Sequence, residues 1–140
     1  MDWNAIVKMR VRHDYYVEKL AEALDAEQFS IAPFDLVKKD GSGFIEVKVC
    51  EGQRPRFKIS YDELRFAEIM KDKYIIYLIW KDEIIVVDYD HLLEWACGVS
   101  FEHQFGHRNS LQKDIELSEK RMCKLESMSR LLFLPLPFSS

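Results

Sequence analysis

Three cysteines, Cys50, Cys97 and Cys123, are all that the 140 residues contain, and none stands in CxxC spacing. An odd count without paired spacing supports neither a disulfide framework nor a zinc site, and a reducing, cytoplasmic setting is the expectation. Long hydrophobic runs are missing too: no segment approaches the roughly 20 apolar residues of a membrane span. The opening "MDWNAIVKMRVRHDYY" interrupts its apolar residues with charges every few positions, unlike a signal peptide. No membrane partner is expected. Positive charge is not in excess, since 20 Lys and Arg against 24 Asp and Glu leave a formal net charge of -4. That argues against holding nucleic acid by bulk positive charge alone, and any polyanion has to be met by local basic patches. Internal repeats and low-complexity tracts are also absent.

What is present is a chain 48% apolar, enough for one globular domain over residues 1–140 around a single core. From Trp3 to Leu24, apolar residues recur at Ile6, Met9, Val17, Leu20 and Leu24, the stripe of an amphipathic helix. "FSIAPFDLVKK" and "GFIEVKVCE" switch to two-residue alternation around "DGSG", where Asp40-Gly41 signals a hairpin. "RFKIS" is a short third strand. Ser60 opens "SYDE", a capping box, so a helix is expected from about Tyr61 to Asp72 with Leu64, Ala67 and Met70 inward. "YIIYLIW", residues 74–80, reads as a strand covered on both faces, and "IIVVDY" pairs back after a turn. Asp90 can cap a helix through Trp95 that stops at Gly98. Residues 98–110 are loop-like. Beyond them "LQKDIELSEKRMCKLESMSRL" reads either as one long helix or as a short strand around Ile115 followed by a helix from Ser118, the second favoured by the helix start at Ser118. The order describes an α/β domain on a central mixed sheet flanked by helices.

The hairpin carries charges where alternation expects none. With Asp40 and Gly41 as a two-residue loop, cross-strand partners have numbers summing to 81 and Asp35 lies opposite Glu46, their Cβ atoms about 5 Å apart. A four-residue loop that shifts the sum to 83 sets Asp35 opposite Lys48 but keeps Asp35, Glu46 and Lys48 on one face; a bulge or a three-residue loop undoes this. The other face then carries Phe34, Leu36, Ile45, Val47 and Val49, an apolar surface for a helix. Two close carboxylates repel unless one takes up a proton or a cation neutralises both. Oxygen ligands from Asp35, Glu46 and a neighbouring carbonyl suit Mg²⁺ completed by a phosphate oxygen, and Lys48 can hold the attacking water or offset developing negative charge. The alternative for the three is a salt-bridged cluster on a solvated sheet face.

"FDLV" followed by "GFIEVKV" resembles the PD-(D/E)XK motif of restriction-endonuclease-like nucleases, with Asp35 as the motif aspartate and Glu46-Val47-Lys48 as the ExK. Here Phe34 separates Pro33 from Asp35. The resemblance extends to the order of elements: opening helix, three strands, helix and apolar fourth strand match the family's αβββαβ core over about residues 5–88, leaving 89–140 as a C-terminal extension. It implies a metal-dependent DNA endonuclease using Mg²⁺, with Mn²⁺ able to substitute, and Asp35, Glu46 and Lys48 as catalytic residues. It also implies a further metal-ligating glutamate on the opening helix, where Glu18 in "YYVEKLAEAL" stands.

Other features are open to two readings. Glu63 is accounted for by capping. Arg54, Arg56 and Lys58 share a parity and could face a phosphate backbone, or, with Pro55, protect an edge strand. Lys8, Arg10 and Arg12 form a second basic patch. His103 and His107 flank Gly106 and read as loop histidines. The tail "RLLFLPLPF" is too short to span a bilayer; it either packs on its own domain or, if exposed, serves a homodimer contact.

Overall fold

The computed structural model describes residues 2–29, 31–103, 111–128 and 133–138. The opening helix α1 runs Trp3–Leu24, with the Asp2 carboxylate accepting from the N–H groups of Asn4 and Ala5 and Asp25 ending it at φ 51°. Only its second half is covered. Tyr16, Val17, Leu20 and Ala21 are buried, whereas Ile6 is 41% and Met9 62% exposed, so the apolar stripe continues past the edge of the sheet it packs on.

Strand β1 (Ala26–Gln28) was not expected. It pairs with β2 (Leu36–Lys38), which pairs with β3 (Phe44–Cys50). The β2–β3 register, Leu36 with Ile45 and Val37 with Phe44, sums to 81 as the two-residue loop requires. The turn itself is wider: Lys38 N–H donates to Gly43 O and Gly41 N–H to Lys38 O, and Gly41 adopts φ 74°, open to a residue without Cβ.

"RFKIS" does form β4 (Arg56–Ser60), but in a separate sheet. Main-sheet order is β1-β2-β3-β5-β6-β9, with β5 (Tyr74–Trp80) parallel to β3, β6 (Glu83–Val87) antiparallel to β5, and β9 (Phe133–Pro135) at the far edge. β4, β8 (Leu111–Glu116) and β7 (Glu102–His103) make the second sheet. The three strands preceding the crossover to β5 are therefore β1, β2 and β3. The crossover helix α2 (Tyr61–Met70) carries both capping-box hydrogen bonds between Ser60 and Glu63, and buries Leu64 and Ala67. Helix α3 (Tyr89–Ala96) is capped by Asp88 rather than Asp90: the Asp88 carboxylate accepts from His91 N–H three residues on, the spacing a cap needs. Helix α4 (Glu119–Met128) follows β8 after Ser118, whose hydroxyl accepts from Arg121 N–H. The tail packs on its own domain through β9, with Leu134, Leu136 and Phe138 against the α1 side of the core; residues 129–132 lie outside the described residues.

Both faces of the main sheet are covered. Ile45, Val47, Tyr77, Ile79 and Ile84 pack under α1, while Ile76, Leu78, Ile85 and Val87 pack with α2, α3 and the second sheet. Leu78 is fully buried; Leu78→Ala should lower unfolding free energy by about 2–5 kcal/mol, read from urea midpoints at unchanged m-value.

Candidate functional site

Burial on both faces changes the meaning of the charged hairpin. Glu46 and Lys48 register with Ile76 and Leu78, so they share the face packed by α2, and Glu46 is only 6% exposed. A solvated salt-bridge cluster does not describe them. Asp35 departs from its expected place. Its N–H donates to Ile45 O, the residue that already partners Leu36, so the chain bulges there rather than continuing the ladder to Glu46. Phe34 is thereby turned to the opposite face from Leu36, into a cluster with Phe44 and Phe66 at 4.9 and 5.1 Å between ring centroids. The continuous apolar face expected from Phe34 to Val49 is broken at that residue.

Ending β2 at Leu36 leaves the N–H and C=O of Val47 without ladder partners on that side. Side chains take them up: Val47 N–H donates to Asp35 Oδ2 at 2.8 Å, and His13 Nε2 lies 3.1 Å from Val47 O and 3.2 Å from Asp35 Oδ2. Since both neighbours accept, Nε2 carries the proton. The loop before Asp35 is pinned by Tyr74, whose hydroxyl donates to Pro33 O at 3.1 Å. Burial and the carboxylates of Glu46, Glu63 and Asp35 push that phenol up, keeping it a donor. One ligand atom each from His13, Asp35 and Glu46 lies within 4.8 Å of the others. The three line a cleft of about 400 Å³ together with Lys48, Glu63 and Arg12.

Lys48 Nζ donates to both carboxylate oxygens of Glu63 at 3.0 Å, and Glu63 Oε1 also accepts from Ser60 N–H. The cap reading of Glu63 is correct but incomplete. The same carboxylate anchors the site's ammonium, and the only sequence signal for this was that α2 must cross the face holding Lys48. Electrostatics sort the acids. Burial pushes the Glu46 carboxyl well up, with Glu63 and Asp35 adding to it. Burial acts the same way on Asp35, but hydrogen bonds from His13, Glu46 and Val47 outweigh it and hold the carboxyl below the usual range. Glu63 is likewise held down, the Lys48 charge overcoming burial. Lys48 is held up by Glu63 and Glu46 against its own burial. His13 is raised, chiefly by its hydrogen bond to Asp35.

Glu18 is not brought to the site. It is exposed, five positions beyond His13 on α1, which at about 100° per residue turns it roughly 140° away. His13, five positions earlier on the same helix and partly buried, lines the cleft instead. Of the basic candidates, Arg56 forms a bidentate pair with Asp114 and lines, with Lys58, a cleft that shares Lys48 and Val49 with the first. Arg54 lies elsewhere, near Glu116 and Glu119 and beside Trp80. His103 is in β7, and His107 falls outside the described residues.

Fold and site together define a mixed α/β domain in which a half-buried imidazole, carboxylates and an ammonium gather around the buried Glu46 where a strand ends early. Residues 5–89, more than half of the chain, match the family model described as Protein NO VEIN, C-terminal, and the chain belongs to that family. His13, Asp35, Glu46, Lys48 and Glu63 all fall inside the match. No curated protein and no solved structure matches the chain.

Proposed function

We propose that the chain is a metal-dependent nuclease of restriction-endonuclease-like, PD-(D/E)XK type that hydrolyses phosphodiester bonds in DNA. The observation that carries this is the convergence of His13, Asp35 and Glu46 ligand atoms within 4.8 Å beside an ammonium held by Glu63. Element order supports it as well: α1, the β1-β2-β3 meander, α2 and β5 reproduce αβββαβ once β4 is read as an insertion into a second sheet.

The donor set fits a divalent cation. Two mutually repelling carboxylates, one raised by burial and its acidic neighbours, want a positive charge between them, and Val47 O faces the same space. Asp35, Glu46, His13 and that carbonyl would hold the ion. When bound, it supplies Lewis acidity toward a phosphate oxygen and an activated water. An imidazole among oxygen ligands suits Mn²⁺ at least as well as Mg²⁺, and His13 must give up its Nε2 proton to ligate. Lys48, kept protonated, acts as a donor and not as a base. Its ammonium lies where negative charge grows on the non-bridging oxygens as water oxygen bonds to phosphorus. One bridging P–O bond then breaks, the water's proton passing to the leaving oxygen, to give a phosphomonoester and a hydroxyl. Glu63 positions Lys48 without touching the phosphate.

Incubating labelled DNA with purified protein and Mn²⁺, Mg²⁺ or EDTA tests this. Cleavage should require the metal, fall about 10²-fold or more in His13→Ala, and persist in Glu18→Gln. Glu18→Gln losing as much as His13→Ala would reverse the assignment on α1. No cleavage under any metal would return the chain to a non-catalytic nucleic-acid- or protein-binding module, or an accessory subunit, on the same fold.

A further inference from the structure

The candidate site is not a dead end. Three cavities meet along α1. The site cleft of about 400 Å³ shares His13 and Asp35 with a second of about 630 Å³ reaching Arg10 and Phe29. It shares Met9, Lys48, Val49 and Glu51 with a third of about 620 Å³ reaching Arg56 and Lys58. The three cavities therefore adjoin one another as a trough along α1, with Asp35 and Glu46 lining its middle one.

Each flank offers what a polynucleotide strand needs. On one, Arg10 takes part in no ion pair among the described residues, and Phe29 is 42% exposed and in T-shaped contact with Phe34. A cation and an aromatic face side by side suit a phosphate and a stacked base. On the other flank, Arg56 and Lys58 share the outward parity of β4, with Phe57 and Ile59 buried between them. The Arg56 charge is tempered by Asp114, and Arg12 over the site pairs with Glu51. Phosphate contacts must therefore exchange for these carboxylates, so the trough selects for a ligand that makes several contacts at once. Each cavity is the size of a small-ligand cleft, and Asp35 and Glu46 are recessed, with side-chain exposure of 17% for Asp35. A flexible single strand can feed its phosphates into such a recess one at a time; a stacked duplex presents them on a convex surface.

We propose that the trough binds one single-stranded stretch of DNA across the site, with Arg10 and Phe29 holding one side of the scissile phosphate and Arg56 and Lys58 the other, so that cleavage is internal and needs no strand end. This rests on the nuclease reading, and the test separates the two. Closed single-stranded DNA circles, closed duplex circles and linear single strands are incubated with the full chain and Mn²⁺. The expected result is linearisation of the single-stranded circle, with the duplex circle cut at least about tenfold more slowly. Phe29→Ala and Arg10→Ala, the latter on an exposed helix face with no ion pair to lose among the described residues, should each raise KM on long strands about fivefold or more while kcat stays within about twofold, as expected of groups that bind substrate without touching the reacting phosphate. Degradation of linear strands with the single-stranded circle intact overturns the trough and leaves the nuclease reading standing, as does equal cutting of the duplex circle. Should nothing be cut with any metal, the nuclease reading fails, and fluorescence anisotropy of a labelled single strand decides the trough alone. Binding weakened in Arg10→Ala and Arg56→Ala supports it, and binding that is absent or unchanged in both overturns it.

Discussion

Lys48→Ala is expected to lower metal-dependent cleavage by about 10²–10³-fold in kcat, the range for removing one donor aimed at developing charge. Stability should fall with it, because Lys48 is the counter-charge of Glu63 and lies against Glu46 with side-chain exposures of 18% and 14% for Lys48 and Glu63. Removing one partner of a buried pair costs about 3–5 kcal/mol, much of it the uncompensated charge left behind. The two effects have to be separated, and the double variant Lys48→Ala/Glu63→Gln does so. Glutamine keeps the acceptor that Ser60 N–H uses in the cap and removes the stranded charge, so unfolding free energy should recover most of the loss. Cleavage should not. If the double variant regained activity along with stability, Lys48 would be a structural counter-ion and the catalytic reading of the ammonium would fall. Glu63→Gln alone is the complementary arm: Lys48 keeps a hydrogen-bonding partner but loses its charge anchor, and a loss smaller than that of Lys48→Ala is expected.

Much of the architecture was legible because it rests on local rules. The capping box at Ser60 and Glu63 and the seven-residue apolar run of β5 follow from short-range chemistry and appear as read, and of the two hairpin registers left open, 81 and 83, the structure has the first. What was not legible depends on where the chain stops obeying the ladder. Alternation through "FSIAPFDLVKK" predicts a strand that continues past Asp35, yet the bulge there ends β2 and frees Val47, and the freed backbone is what His13 and Asp35 converge on. Glu63 was hidden for a different reason: its local role was complete, so nothing called for a second one. Glu18 was over-read on its residue type, while His13, on the helix face that packs on the sheet, gave no motif to recognise. The placement of β4 in its own sheet also depends on β8, more than fifty residues downstream, and no local pattern encodes that pairing.

Glu46→Gln should abolish metal-dependent cleavage and yet make the metal-free protein more stable above neutral pH. The sign follows from two groups. Glu46, raised by burial and its acidic neighbours, keeps its proton in the folded state where the unfolded chain has lost it, so its contribution to stability declines as pH rises from the ordinary carboxylate range toward its folded value. His13, raised by Asp35, contributes stability that is fully present below its unfolded pKa and is lost as pH rises through the folded one. Asp35 and Glu63, both lowered, contribute stability present above their unfolded values and lost only on acidification through the folded ones, below the window in question. From about pH 5 to 8 the metal-free wild type should therefore lose stability. The amide removes the Glu46 part, flattening the profile and raising Tm at pH 8 by about 3–6 °C, a gain that shrinks toward pH 5. Mn²⁺ should do for the wild type what the substitution does, neutralising the carboxylates and raising Tm by the mass-action increment of a ligand that binds only the folded state. It should do much less for Glu46→Gln. Thermal melts at pH 5 and pH 8, each with and without Mn²⁺, give the comparison. A variant whose pH profile and Mn²⁺ response both coincide with the wild type's would mean that the Glu46 carboxylate neither bears the strain of this burial nor holds the ion. Opposite movement of activity and metal-free stability is the pattern of a site kept at the expense of the fold around it.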